Sequence, residues 1–236
     1  MEAAIVSTAK VQMIPCPPIS ASIRPPGSKS ITNRALICAA LAEGTSLLRD
    51  VLDSEDTRVM LQSLRDLGVS LEHDLEAAEV SIVGTQGHFP VTSADLFLAN
   101  SGTSIRFLTA TLCAANGQYR LDGVARMRTR PIADLIKALQ PLGGRVRILN
   151  RENPDCPPVM VEARGLTGGW TTVAGNISSQ FLSGLMLVAP MAQSDVWVKV
   201  EGELVSKPYV AMTAAVMRGF GAEVTELESG SYRVDS

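Results

Sequence analysis

Apolar positions recur along this chain with two spacings. Leu61, Leu64 and Leu67 return every three residues, and Leu135, Leu139 and Leu142 every three or four. That rhythm places each set on one buried helical face. Shorter apolar runs, Val80 to Val83, Val159 to Val161 and Val196 to Val200, read as strands. Each helical stretch stops at a glycine, Gly68, Gly143 or Gly221, and a strand-like segment follows. Glycine there supplies the left-handed residue that closes a helix. Pro131 and Pro208 suit the first turn of the preceding helix in the second and third copies, and Asp56 with Thr57 suits its cap in the first.

The three glycines stand 75 and 78 residues apart. A second marker keeps nearly the same period. Ser30 to Leu36, Gly102 to Leu108 and Ile177 to Leu182 are polar clusters that open apolar, helix-like runs. Aligning Arg34, Arg106 and Gln180 gives offsets of 72 and 74 residues. Two markers with one period indicate a threefold repeat. The pattern predicts an α/β domain in which three such units pack helices inside a ring of sheets. Residues 1–23 precede the first copy and read as an extra strand with a connector rich in proline.

Composition narrows the function. Apolar residues make up 46% and charged residues 19%, which excludes disordered, collagen-like and coiled-coil chains. The net charge of −3 offers no basic field to nucleic acid or acidic lipid. Aromatics at 4% argue against a base-stacking surface. The longest apolar run, Phe181 to Ala192, is too short to span a bilayer and contains Pro190. The N-terminus has no basic stretch ahead of an apolar one, so no secretory signal is expected. Cys16, Cys38, Cys113 and Cys156 are widely separated, which fits thiols in a reducing compartment. His73 and His88 lack neighbouring ligands, so no metal is expected. The expected setting is cytoplasmic, or a plastid if the source is a plant.

The polar clusters carry the chemistry. Pro26 to Arg34 (PGSKSITNR) sets a glycine, two serines, Lys29 and Arg34 at a helix start, where backbone N–H groups and cations favour an anion. The spacing of a nucleotide-binding P-loop is absent. Asn100 to Arg106 (NSGTSIR) is the equivalent place in the second copy, with Gly102 allowing close backbone approach. Asn176 to Gln180 (NISSQ), with Ser178 and Ser179, is the third. Arg126, Arg128 and Arg130 put three guanidinium forks in five residues. Ser206, Lys207 and Tyr209 precede the last helix. Each cluster alone also fits a plain capped helix. Together they indicate anionic ligands held by Lys, Arg, Ser and Gln, with no nucleophile–base pair, metal set or nucleotide fingerprint.

GSKSITNRAL (Gly27 to Leu36), NSGTSIR (Asn100 to Arg106), RMRTRPI (Arg126 to Ile132), SSQFL (Ser178 to Leu182) and LVSKPY (Leu204 to Tyr209) resemble the 5-enolpyruvylshikimate-3-phosphate synthases. The five motifs run in family order through nearly the whole chain. The resemblance implies an enolpyruvyl transferase that acts without cofactor. It moves the enolpyruvyl group of phosphoenolpyruvate to the 5-hydroxyl of shikimate 3-phosphate and releases phosphate. It implies that Lys29 touches both substrates, with Lys29 and Arg126 stabilising charge. Ser30, Arg34, Ser178, Ser179, Gln180, Ser206 and Tyr209 would hold shikimate 3-phosphate. Asn100, Gly102, Arg126 and Gln180 would hold phosphoenolpyruvate. The implied fold is one lobe of three βαβαββ units, an inside-out α/β barrel, over residues 24–236. Its units fall at about 24–96, 97–172 and 173–236, and residues 1–23 belong to the other lobe.

Two departures from the family pattern matter. Many members carry Arg-Pro where this chain has Arg106-Phe107, so a shifted response to glyphosate, the family's phosphoenolpyruvate-competitive inhibitor, is expected. The family chain is nearly twice as long, so this chain reads as an N-terminal half, inactive without a C-terminal partner. Two alternatives stay open: a noncatalytic substrate-binding fragment, and a relative of UDP-N-acetylglucosamine enolpyruvyl transferase. The latter has a loop cysteine, whereas Cys113 falls in an apolar helical run.

Overall fold

Alternating burial along the strands shows which face each sheet turns inward. In Val159–Arg164 the valines at 159 and 161 and Ala163 are buried, while Met160 and Glu162 are not. In Val196–Glu201 the three valines are buried and Trp197, Lys199 and Glu201 face outward. The computed structural model describes residues 12, 14–15, 17–18, 20–23, 25–227 and 230–236. It has three small sheets around a helical interior.

The first unit contains α1 (Lys29–Leu41), β1 (Thr45–Leu48), α2 (Glu55–Asp66), β2 (Leu71–Asp74) and β3 (Glu79–Val83). The second contains β4 (Ser93–Phe97), α3 (Gly102–Cys113), β5 (Asn116–Asp122), α4 (Ala133–Leu139), β6 (Val146–Ile148) and β7 (Val159–Arg164). The third contains β8 (Gly169–Ala174), α5 (Ser179–Val188), β9 (Val196–Glu201), α6 (Lys207–Gly219), β10 (Val224–Glu226) and β11 (Tyr232–Val234). The second and third sheets have the same order, β4-β5-β7-β6 and β8-β9-β11-β10. In both, the first two strands are parallel and the remaining pairings antiparallel. The first sheet repeats the antiparallel part as β1-β3-β2, with Thr45 opposite Val83 and Leu71 opposite Ile82. No described residue occupies the place beside β1 that β4 and β8 hold in their sheets. The leading strand expected within residues 1–23 falls mainly outside the described residues, Cys16 included.

The first helix of each unit is the most deeply buried. In α5 every residue except Gln180 is buried, and α3 leaves only Thr103 and Arg106 partly open. These helices pack on one another and on α2, α4 and α6. Leu61, Leu64 and Leu67 are buried, as are Leu135, Leu139 and Leu142. The closing glycines adopt the left-handed backbone, with φ of 84°, 93° and 88° at Gly68, Gly143 and Gly221.

Two helix starts differ from the sequence expectation. The cap of α2 is Ser54, which is still extended and exchanges bonds with Thr57 in a capping box. Asp56 and Thr57 are already helical there, so neither can be the flanking cap residue. Helix α4 begins at Ala133 rather than at Pro131, because a short 3-10 turn, Met127–Thr129, takes up the preceding chain. Pro208 lies in the first turn of α6, where its missing N–H costs nothing.

Gly221 and Gly219 separate backbone cost from crowding, because among the described residues no atom beyond the adjoining backbone lies within 4 Å of a methyl group added at either. Gly221→Ala is expected to destabilise by about 1 kcal/mol through the left-handed backbone alone. Gly219→Ala, at the helical end of α6, is expected to stabilise by about 0.5 kcal/mol. Urea unfolding of the two variants checks both signs.

Candidate functional site

Three helices open with the same device. Ser28, Ser101 and Ser178 are the caps of α1, α3 and α5, and each side chain accepts a backbone N–H from the first turn. The remaining first-turn N–H groups are left for a ligand, at the positive end of each helix dipole. A cavity of about 380 Å³ lies among these starts. Helix α1 contributes Lys29, Ser30 and Arg34 to it, and α3 contributes Thr103 and Arg106. Ser178, Ser179 and Gln180 come from the start of α5, and Ser206 and Tyr209 from the start of α6. Ile177 and Val205 complete the wall. Among the described residues the lining holds three cations and no carboxylate.

Arg34 is the deepest of the cations, with 2% of its surface exposed. Its Nε donates to Thr213 Oγ1 at 2.7 Å, and Nη1 to the Ser30 carbonyl at 2.8 Å. Its Nη2 donates to Ser183 Oγ at 3.1 Å and to the Tyr209 carbonyl at 3.4 Å. Four of its five N–H groups are therefore held by the protein, which leaves one for the cavity. Burial lowers the guanidinium to about 10, with no carboxylate among the described residues to raise it. It remains cationic at neutral pH.

Arg106 occupies the equivalent position on α3. It donates to Gln180 Oε1 and to the Pro131 carbonyl. Burial, then the nearby positive charge of Arg130, lowers it to about 10. Lys29 differs: its Nζ pairs with Asp56 at 2.6 Å, and its side chain is half exposed. An incoming anion would compete with Asp56 for this ammonium. Ser206 holds a left-handed backbone, φ 58°, without glycine's freedom. Strain of this kind gathers where geometry serves a ligand.

The cavity thus brings together Lys29, Ser30, Arg34, Ser178, Ser179, Gln180, Ser206 and Tyr209 from the sequence expectation. It does not take in Asn100, Gly102 or Arg126 among its lining residues. Asn100 and Arg126 are exposed. Gly102 lies under Arg130, whose guanidinium occupies the space an added methyl would need, with Arg106 beside it. Thr103 and Arg130 fall within the polar clusters of the sequence, but the resemblance assigned neither to a ligand. Sequence reasoning noted Arg106 without a role, although the repeat made it the counterpart of Arg34. Cys113 is buried in α3 and its thiol is pushed up to about 12, so it is not a reactive loop cysteine. Among the described residues no cluster of three or more His, Cys, Asp or Glu could hold a metal ion.

Asp122, at the end of β5, shapes the turn that carries Arg126 and Arg130. It is buried, accepts from Arg128 at 2.7 Å and 3.0 Å and from Arg120 at 2.7 Å, and receives the Gly123 N–H at 2.8 Å. Burial acts to raise its carboxyl, and these donors outweigh it, holding it below the ordinary carboxylate value. The folded state therefore binds this proton less readily than the unfolded state. The stabilisation is complete above the ordinary value and is lost as pH falls through the folded one. Asp122→Asn is expected to cost about 2 kcal/mol at neutral pH. The gap between parent and variant should close as the pH drops below about 4, followed by urea unfolding.

The family model for EPSP synthase (3-phosphoshikimate 1-carboxyvinyltransferase) matches residues 15–235. The 3-phosphoshikimate 1-carboxyvinyltransferase of Marinomonas sp. is 47% identical over 202 residues, covering 86% of this chain and 47% of that protein. The one from Thiobacillus denitrificans is 48% identical over 205 residues, covering 87% and 47%. The solved EPSP synthase from Acinetobacter baumannii superposes with a TM-score of 0.77 at 30% identity, covering 89% of this chain and 45% of that one. The enolpyruvyl transferase NikO from Streptomyces tendae shares the fold, with a TM-score of 0.67 at 18% identity over 91% of this chain and 48% of that one. The chain spans about half the length of the curated relatives it matches. It belongs to the EPSP synthase family, and its three repeated units form one lobe of the enolpyruvyl transferase fold.

Proposed function

We propose that this chain is the N-terminal lobe of a 3-phosphoshikimate 1-carboxyvinyltransferase, and that the cavity holds shikimate 3-phosphate. The observation that carries the reading is a cavity that, among the described residues, is lined by three cations, four serines and no carboxylate, built on helix starts. Such a lining suits an anionic ligand, and the serine hydroxyls at the helix starts suit a phosphate. Ser178, Ser179 and Ser206 are assigned to the phosphate. Ser30, Arg34 and Tyr209 are assigned to the rest of the ligand, with Lys29 and Gln180 reaching both substrates.

Asn100, Gly102 and Arg126 are assigned to phosphoenolpyruvate, at the margin of the cavity. Arg126 is exposed and pairs with no carboxylate among the described residues, so its charge is available. Glyphosate would compete there. The C-terminal half of the same enzyme would close over this face and supply the groups that transfer protons. The reaction then proceeds by addition and elimination. Positioning two polyanions and stabilising developing charge on Lys29 and Arg126 are this lobe's share. No helix among the described residues is long and apolar enough to cross a membrane. We assign the enzyme to the cytoplasm, in chorismate biosynthesis.

Titration of the chain with shikimate 3-phosphate by calorimetry tests the reading. Binding is expected, and Lys29→Ala should weaken it by tenfold or more, the loss of one charge-assisted bond at about 1.5–3 kcal/mol. Phosphate release from phosphoenolpyruvate should appear only when the C-terminal half is added. Turnover by this chain alone would refute the dependence on a second lobe, and absence of binding would refute the site.

A further inference from the structure

Arg34, which is buried, and Arg106, which is partly buried, follow a pattern set by the repeat. Arg34, Arg106 and Gln180 align in the three sequence repeats and are followed by Ala35, Phe107 and Phe181, although Gln180 lies in the first turn of α5 and the two arginines lie a turn deeper in α1 and α3. The Arg34 guanidinium carbon lies 5.2 Å from the centre of the Phe107 ring. The Arg106 guanidinium carbon lies 5.1 Å from the centre of the Phe181 ring. Each arginine is stacked on the phenylalanine of the following unit. The third step is broken, since Gln180 has no charge and Ala35 no ring. Gln180 turns back to the second unit instead, accepting from Arg106 and donating to Thr103 Oγ1 at 3.1 Å.

These rings answer an electrostatic conflict. A buried cation is costly without a partner. A carboxylate partner would stabilise it but cancel the charge that the cavity offers to an anion. The face of a phenyl ring attracts a guanidinium through its quadrupole and leaves the net charge in place. It also leaves the N–H edges free, and Arg34 uses them to reach Thr213, Ser183 and two carbonyls. Phe107 and Phe181 are both buried and neither lines the cavity, so they can act on a ligand only through the arginines. We propose that Phe107 is a positioning residue of the anion site, holding Arg34 flat and charged beneath the cavity, and that Phe181 does the same for Arg106. The proposal rests on reading the cavity as the shikimate 3-phosphate site.

A series of the chain with mono-, di- and trifluorinated phenylalanine at position 107 tests it, beside Phe107→Leu. Fluorine drains the ring face of negative potential while nearly keeping its volume, so a role in packing alone predicts no trend. Two readouts are taken: shikimate 3-phosphate affinity by calorimetry, and the exchange rate of the Arg34 Nε–H by NMR without ligand. Affinity should fall stepwise with fluorination, to about tenfold weaker at the trifluorinated ring and in Phe107→Leu. The Nε–H should exchange faster in the same order. Affinity and exchange that stay flat across the series would overturn the proposal. A parent chain that binds no shikimate 3-phosphate would instead refute the substrate reading, and the exchange series alone would then decide the role of Phe107.

Discussion

Arg34 is a full positive charge placed where water hardly reaches and where no carboxylate answers it among the described residues. Everything around it is arranged to make that tolerable. One helix, α1, carries the residue. A second, α6, offers the Thr213 hydroxyl and the Tyr209 carbonyl. A third, α5, offers the Ser183 hydroxyl, which also meets Thr213 at 2.8 Å. Helix α3 lays the Phe107 ring beneath it. One guanidinium therefore ties together all three repeated units. Losing any of the hydroxyl or carbonyl partners would leave a buried donor unpaired, which costs more than the bond itself contributes.

The same arrangement explains why the cavity is ready before a ligand arrives. Its cations are fixed by neutral partners, so their charge is not spent inside the protein. Lys29 is the exception, paired with Asp56 and half exposed, and it is the cation best able to move toward a substrate. The serine caps hold the helix starts in register and leave other N–H groups pointing at the site. Groups positioned in advance lose little freedom on binding, which is where affinity and catalysis by positioning arise.

Much of this was legible in the sequence because it is local. The closing glycines announce a left-handed residue wherever they stand, and the serine clusters announce helix starts. Repeating both at one period was enough to foresee three α/β units and most of the cavity wall. What was not legible depends on how helices rotate against each other. Nothing in the order of residues says that Phe107 lies under Arg34 or that Arg130 covers Gly102. The cap of α2 was misassigned by two residues because Ser54, Asp56 and Thr57 all suit a cap, and only the backbone angles choose. Arg106 was visible as a basic residue, but its role required the repeat to be read as geometry rather than as similarity.

The central claim is that a lobe built from three repeats holds its cations in place for a phosphorylated ligand before that ligand binds. A crystal structure of the chain with shikimate 3-phosphate tests it most directly. The phosphate is expected at Ser178, Ser179 and Ser206, with α1, α3 and α5 unmoved and Arg34 still resting on Phe107. A phosphate bound instead at the turn from Arg126 to Arg130, or an Arg34 that leaves the ring to reach it, would contradict the account.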